Sequence, residues 1–136
     1  MTDAKQCVRD HFTRLNPDLR VDPQGYVLEV KDSLVEGVDA DLIKQDYDNG
    51  SGQEWDYKIK AVHSSAALAA NTFGFFKDKH DALELLGVRG FSSSRLEAKC
   101  PSGLRGTPPN LDVLVESDQD VIGVESKFRV FSGICG

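Results

Sequence analysis

Two apolar runs, Leu111-Asp112-Val113-Leu114-Val115-Glu116 and Val121-Ile122-Gly123-Val124-Glu125-Ser126-Lys127-Phe128, are separated only by the polar tetrapeptide Ser117-Asp118-Gln119-Asp120. Val and Ile are prominent in both, as suits a pleated, half-buried surface. A connection this short cannot return the chain in parallel, because parallel strands need a crossover of roughly a dozen residues or more. The spacing therefore predicts an antiparallel hairpin. Arg95-Leu96-Glu97-Ala98-Lys99 reads as a further strand just upstream, followed by a Pro/Gly-rich connection through Gly103, Gly106 and Pro108-Pro109.

Helical patterns precede this sheet. Val8, Phe12 and Leu15 recur at helical spacing between Ala4 and Leu15, and Asn16-Pro17 ends the pattern. Asp41 to Tyr47 reads as a helical turn or two. Ser64 or Ser65 is placed to cap a helix through Ala66-Ala67-Leu68-Ala69-Ala70-Asn71 towards Phe73, whose alanines suit close packing. Asp78 to Leu86 reads as another helix, with Leu83 and Leu86 inward and Gly87 as its stop. Tyr26 to Val30, after the turn Asp22-Pro23-Gln24-Gly25, reads as a short strand, and Trp55 as core. The expectation is an α/β (α+β) fold with helices packed on a three-stranded antiparallel sheet. It forms one domain over 1–136: an N-terminal extension 1–50, a core 51–128 and a tail 129–136.

Charge and composition limit the function classes. Sixteen Lys and Arg stand against 22 Asp and Glu, a net charge of −6, which argues against binding nucleic acid over the whole surface but leaves room for a local basic rim. No apolar run approaches the roughly 18 residues of a membrane span, and the polar start lacks a signal peptide's apolar stretch. Cys7, Cys100 and Cys135 lie far apart without a Cys-x-x-Cys pair, so three reduced thiols in a cytoplasmic protein are expected.

The hairpin also carries the chemistry. Asp112 opens one strand and Glu125 lies thirteen positions later on the next. Side chains alternate along a strand, so Glu125 and Lys127 share a face. Two carboxylates with waters and a substrate phosphate suit magnesium, which polarises phosphate and activates water. Asp112 and Glu125 are thus the expected metal ligands, and Lys127 the residue that orients the water or stabilises the charge developing on phosphate. Removing one of these clustered acids is expected to leave apo stability level or raised, by relief of repulsion. The acidic-x-Lys triplet alone is weak: it occurs at Asp3, Glu29, Asp56, Glu97 and Glu125. The rival set of Asp18, Glu29 and Lys31 lacks an apolar strand after Asp18, where Leu19-Arg20-Val21-Asp22-Pro23 breaks quickly.

The stretch Leu96-Glu97-Ala98-Lys99-Cys100-Pro101 through Gly106-Thr107-Pro108-Pro109-Asn110-Leu111-Asp112, followed by Gly123-Val124-Glu125-Ser126-Lys127-Phe128, resembles bacterial restriction-endonuclease-like proteins of the PD-(D/E)XK superfamily. Gly50-Ser51-Gly52-Gln53-Glu54 and Ser64-Ser65-Ala66-Ala67-Leu68-Ala69-Ala70-Asn71-Thr72-Phe73 resemble upstream segments of the same family. The literal motif has Pro before the first acid, where Leu111 stands here with Pro108 and Pro109 nearby. The resemblance implies a restriction-endonuclease-like core and a metal-dependent endodeoxyribonuclease that uses Mg2+, with Mn2+ able to substitute. DNA is the expected partner and a homodimer a candidate assembly. Only nine residues follow Lys127, too few for the next helix and strand of that core, so a truncated copy is expected. The alternative is a catalytically inactive remnant that acts as a DNA- or partner-binding domain.

Further residues stay open at this point. Glu97 is either a third metal carboxylate or a strand residue paired with Arg95 or Lys99. Glu54 is either an accessory acid or a helix-start carboxylate. Lys99, Arg105 and Arg129 flank the site as candidate phosphate contacts. His11, His63 and His80 show no ligand spacing and suit surface or capping roles.

Overall fold

The computed structural model describes residues 4–50, 55–101 and 103–127. Three α-helices, α1 (Ala4–Leu15), α2 (Ala40–Asn49) and α3 (Ser65–Phe73), precede three strands, β1 (Ser93–Lys99), β2 (Asn110–Glu116) and β3 (Val121–Val124). The strands form one antiparallel sheet in the order β1-β2-β3, so the class is α+β.

The hairpin forms where the sequence places it. Ser117 N–H donates to Asp120 O at 2.8 Å, and the Ser117 hydroxyl accepts from Asp120 N at 2.9 Å, closing the polar turn on itself. Val113 pairs with Val124 and Val115 with Ile122. β3 is shorter than expected: it ends at Val124, so Glu125 and Lys127 follow the ladder rather than lying in it, and Phe128 falls outside the described residues. The cause is local. Ser126 N–H donates to the Asp112 side chain at 2.6 Å, which competes with a β2 main-chain acceptor for that donor.

Leu96 and Ala98 of β1 and Val113 and Val115 of β2 bury one face of the sheet. Ile43 and Tyr47 of α2, Ala69 and Ala70 of α3, and Trp55 and Ile59 between those helices are buried in the same core. Tyr47 and Trp55 meet at a ring-centroid distance of 5.6 Å. Each large buried apolar side chain stabilises by about 1.5–3 kcal/mol, which makes this cluster the main source of cohesion. Both core helices are capped. Asp39 accepts from Asp41 N at 2.9 Å at the start of α2, and Ser64 accepts from Ala67 N at 3.0 Å at the start of α3. Each such cap stabilises by about 1 kcal/mol.

The free edge of β1 is covered. Asp46 of α2 accepts from Leu96 N at 2.9 Å and from Lys77 Nζ at 2.6 Å, and Lys77 also donates to Ser94 O. An edge strand left open would offer these groups to another chain.

Three expectations need correction, while the helix expected from Ala4 to Leu15 forms. Tyr26 to Val30 is not a strand: Tyr26 and Val27 make isolated bridges to Ala61 and Val21, and Val30–Ser33 is a 3₁₀ turn. The helix expected from Asp78 to Leu86 is only a 3₁₀ turn, His80–Ala82. Leu83 is buried, but Leu86 is 89% exposed. Leu86 and Gly87 both have positive φ, at 52° and 76°, and Leu85 and Val88 exchange main-chain hydrogen bonds of 3.0 and 2.8 Å. Gly87 therefore serves a two-residue hairpin turn instead of a helix end. α1 forms, yet it buries none of its residues, so its apolar spacing does not build core. Cys7 is disulfide-bonded rather than reduced, whereas Cys100 is a free thiol. Among the described residues no helix is long and apolar enough to cross a membrane.

Candidate functional site

A cavity of about 320 Å³ opens where the middle of β1, the start of β2, the segment after β3 and the start of α3 converge. Glu97, Asp112 and Lys127 all line it, beside Asn110 and Ser126. Asp112 is held by the Ser126 N–H at 2.6 Å. That bond fixes the carboxylate and, one residue before Lys127, the backbone from which the ammonium reaches into the cavity.

Glu97 enters by an unusual route. The register runs Leu96↔Val113 and Ala98↔Leu111, so Glu97 lies across from Asp112. Its φ is +52°, the left-handed region, which costs an L-residue about 1–2 kcal/mol. Strained backbone of this kind clusters at functional sites, and unlike Leu86, whose equal φ serves a tight turn, Glu97 adopts it inside a strand. The end of α2 presses on this point: a Cβ on Gly50 would come within 2.9 Å of Glu97 O. Glu97 also borders a second cavity of about 250 Å³, shared with Asp46, Arg95 and Lys99.

The remaining part of the wall comes from Lys58 and from Ser64, Ser65 and Ala66 at the start of α3. Lys58 belongs to Asp56-x-Lys58, one of five acidic-x-Lys triplets, and nothing in that pattern sets it apart. Ser64 was legible only as a cap. Nothing in spacing alone brings position 58 to position 112.

Glu125 is exposed and does not line this cavity; it follows the last ladder residue directly. Lys99 and Arg105 are exposed and also lie off its wall, while Glu54 and Arg129 fall outside the described residues. All three members of the rival set are exposed. Glu29 and Lys31 pair with each other at 2.9 Å, and the hydrogen bond that Lys31 donates to Glu29 raises its ammonium above the usual pKa. The histidines take local roles: His11 meets Arg14 at 2.8 Å, His80 meets Ser94 at 3.3 Å, and His63 stands edge-on to Tyr26.

Among the described residues no group of three or more His, Cys, Asp and Glu gathers as a metal site. The cavity nevertheless joins two carboxylates, Glu97 and Asp112, to two lysines, Lys58 and Lys127. This is a hard-oxygen donor set of the size magnesium accepts, since magnesium usually keeps several waters and takes one or two carboxylates. A larger cavity, about 660 Å³, lies near the end of α1 between Leu19, Val21 and Tyr26, with Asp22 as its only carboxylate among the described residues. Its size exceeds that of the polar cavity, but a single acid suits metal-assisted hydrolysis poorly.

No family model matches the chain, and neither a curated protein nor a solved structure matches it.

Proposed function

We propose that the chain carries the site of a magnesium-dependent nuclease that hydrolyses phosphodiester bonds in DNA, on a restriction-endonuclease-like core. The observation that carries the reading is the meeting of Asp112, Glu97 and Lys127 in one cavity, with Glu97 held there in a left-handed conformation. Asp112 and Glu97 are the ligands on the cavity wall, and Glu125, exposed one residue before Ser126, is the further candidate ligand. Asp112 engages Ser126 N–H through Oδ2, which leaves its other oxygen as the coordinating atom. Lys127 orients the attacking water or stabilises the negative charge that gathers on the phosphate oxygens. The bound metal supplies polarisation of the phosphate and a water of lowered pKa, and Mn2+ serves in place of Mg2+.

A second reading has its own support. Glu125 is exposed and off the cavity wall, so the donor set around Asp112 is smaller than the motif implies. On that reading the chain binds DNA or a partner without cutting. Nicking of supercoiled plasmid by the full chain, with and without Mg2+ and with an Asp112→Asn control, separates the two. Nicking that needs both the metal and Asp112 supports the nuclease; DNA binding without nicking supports the second reading.

A further inference from the structure

We infer, resting on the reading just proposed, that Lys58 is a substrate-binding residue that holds a DNA backbone phosphate in the same cavity. The cavity lining carries both signs: Glu97 and Asp112 are acidic, whereas Lys58 and Lys127 are basic. A metal ion favours the acids and a phosphate the lysines, so the set together matches a metal-bound phosphodiester.

Lys58 is suited to that task by its anchoring. It opens the 3₁₀ turn Lys58–Lys60, and the next residue, Ile59, is fully buried in the core. The backbone from which the lysine extends is therefore fixed, although the side chain itself is exposed enough to meet a ligand. Ser64 and Ser65 stand on the same wall. The Ser64 hydroxyl accepts from Ala67 N at 3.0 Å, and a hydroxyl that accepts one bond keeps its proton to donate to a phosphate oxygen. Local cations matter more in this chain than in most nucleic-acid binders, because its net charge of −6 repels a polyanion elsewhere.

The test uses the full chain and a short fluorescein-labelled DNA duplex, with anisotropy read in EDTA over a salt series. Lys58→Ala and Lys58→Gln are each expected to weaken binding roughly tenfold near about 0.1 M salt and to reduce the salt slope by about 1, while Lys58→Arg restores both. Circular dichroism confirms that each variant folds. Unchanged affinity and slope in both neutral variants would overturn the inference, as would failure of the wild-type chain to bind the duplex. Plasmid nicking in Mg2+ is scored separately. Lys58-dependent binding without nicking removes the nuclease reading and keeps the inference; nicking by a chain whose binding ignores Lys58 does the reverse.

Discussion

The main-chain N–H of Ser126 donates to Asp112 Oδ2 at 2.6 Å, so one carboxylate both ends the β2–β3 ladder and sits in the polar cavity. A side chain that takes a main-chain donor out of a sheet joins architecture to chemistry. Any change at position 112 is therefore felt in both.

Asp112→Ala is expected to abolish cleavage and to destabilise the chain by about 1–3 kcal/mol, the cost of leaving a partly buried N–H without its charged acceptor. Asp112→Asn keeps an acceptor oxygen, so it should lose cleavage at a much smaller stability cost. From sequence alone, relief of acid repulsion made level or higher stability the expectation; the Ser126 bond reverses the sign. Urea denaturation of the three proteins checks this, and an alanine variant as stable as wild type would remove the positioning role of the bond.

Glu97 gives a second test, independent of the first. Glu97→Ala and Glu97→Gly both delete the carboxylate, but only glycine is at ease at a φ of +52°. The glycine variant should be more stable than the alanine variant by about 1–2 kcal/mol. Both should bind Mg2+ or Mn2+ more weakly than wild type, measured by calorimetric titration. Equal stability of the two variants would show that the left-handed backbone stores no strain.

The hairpin, the cap of α3 and the core helices were legible because each rests on local chemistry. Ser117 closes its own turn, Ser64 bonds to an amide three residues on, and the alanines of α3 follow a helical period. Leu86 misled because a leucine before a glycine fits a helix end and a two-residue turn equally well until Val88 is seen to pair with Leu85, whereas Leu83 is buried as expected. Val8, Phe12 and Leu15 form the helix that their spacing predicts yet bury nothing, because periodicity specifies a helix face but not what covers it. At the site, Asp112 and Lys127 were legible from the hairpin. Lys58 and the strained backbone of Glu97 depend on contacts far apart in the chain, of which residue spacing holds no trace.

Glu125 and Lys127 should separate by mechanism. Glu125 is exposed, so Glu125→Gln is expected to change stability by no more than about 0.5 kcal/mol. Its cleavage should nonetheless fall to the detection limit if the acid reaches the metal from the rim. Lys127→Ala should keep metal affinity and lose roughly 100- to 1000-fold in cleavage rate, the range for removing one group that stabilises transition-state charge. Metal titration alongside single-turnover nicking distinguishes them. Near wild-type nicking by the Glu125 variant would take that residue out of the site and leave Glu97 as the partner of Asp112.

The edge of β1 supplies a prediction about folding alone. Asp46 and Lys77 pair at 2.6 Å with side chains only 11% and 12% exposed, and between them they satisfy Leu96 N and Ser94 O. Removing one member leaves the other charge largely buried without its counter-ion, which costs about 3–5 kcal/mol. Asp46→Ala is therefore expected to lower the urea midpoint more than any substitution at the cavity. Lys77→Met should cost less than Asp46→Ala, because the apolar stem is kept and Asp46 still receives the Leu96 N–H. Since Leu96 is the residue before Glu97, the Asp46 variant should also loosen the site. Hydrogen exchange at Leu96 should accelerate, and metal affinity should fall even though Asp46 is not itself a proposed ligand. Retained stability in Asp46→Ala would mean that water can replace the carboxylate at this edge, and that β1 holds its shape through β2 alone.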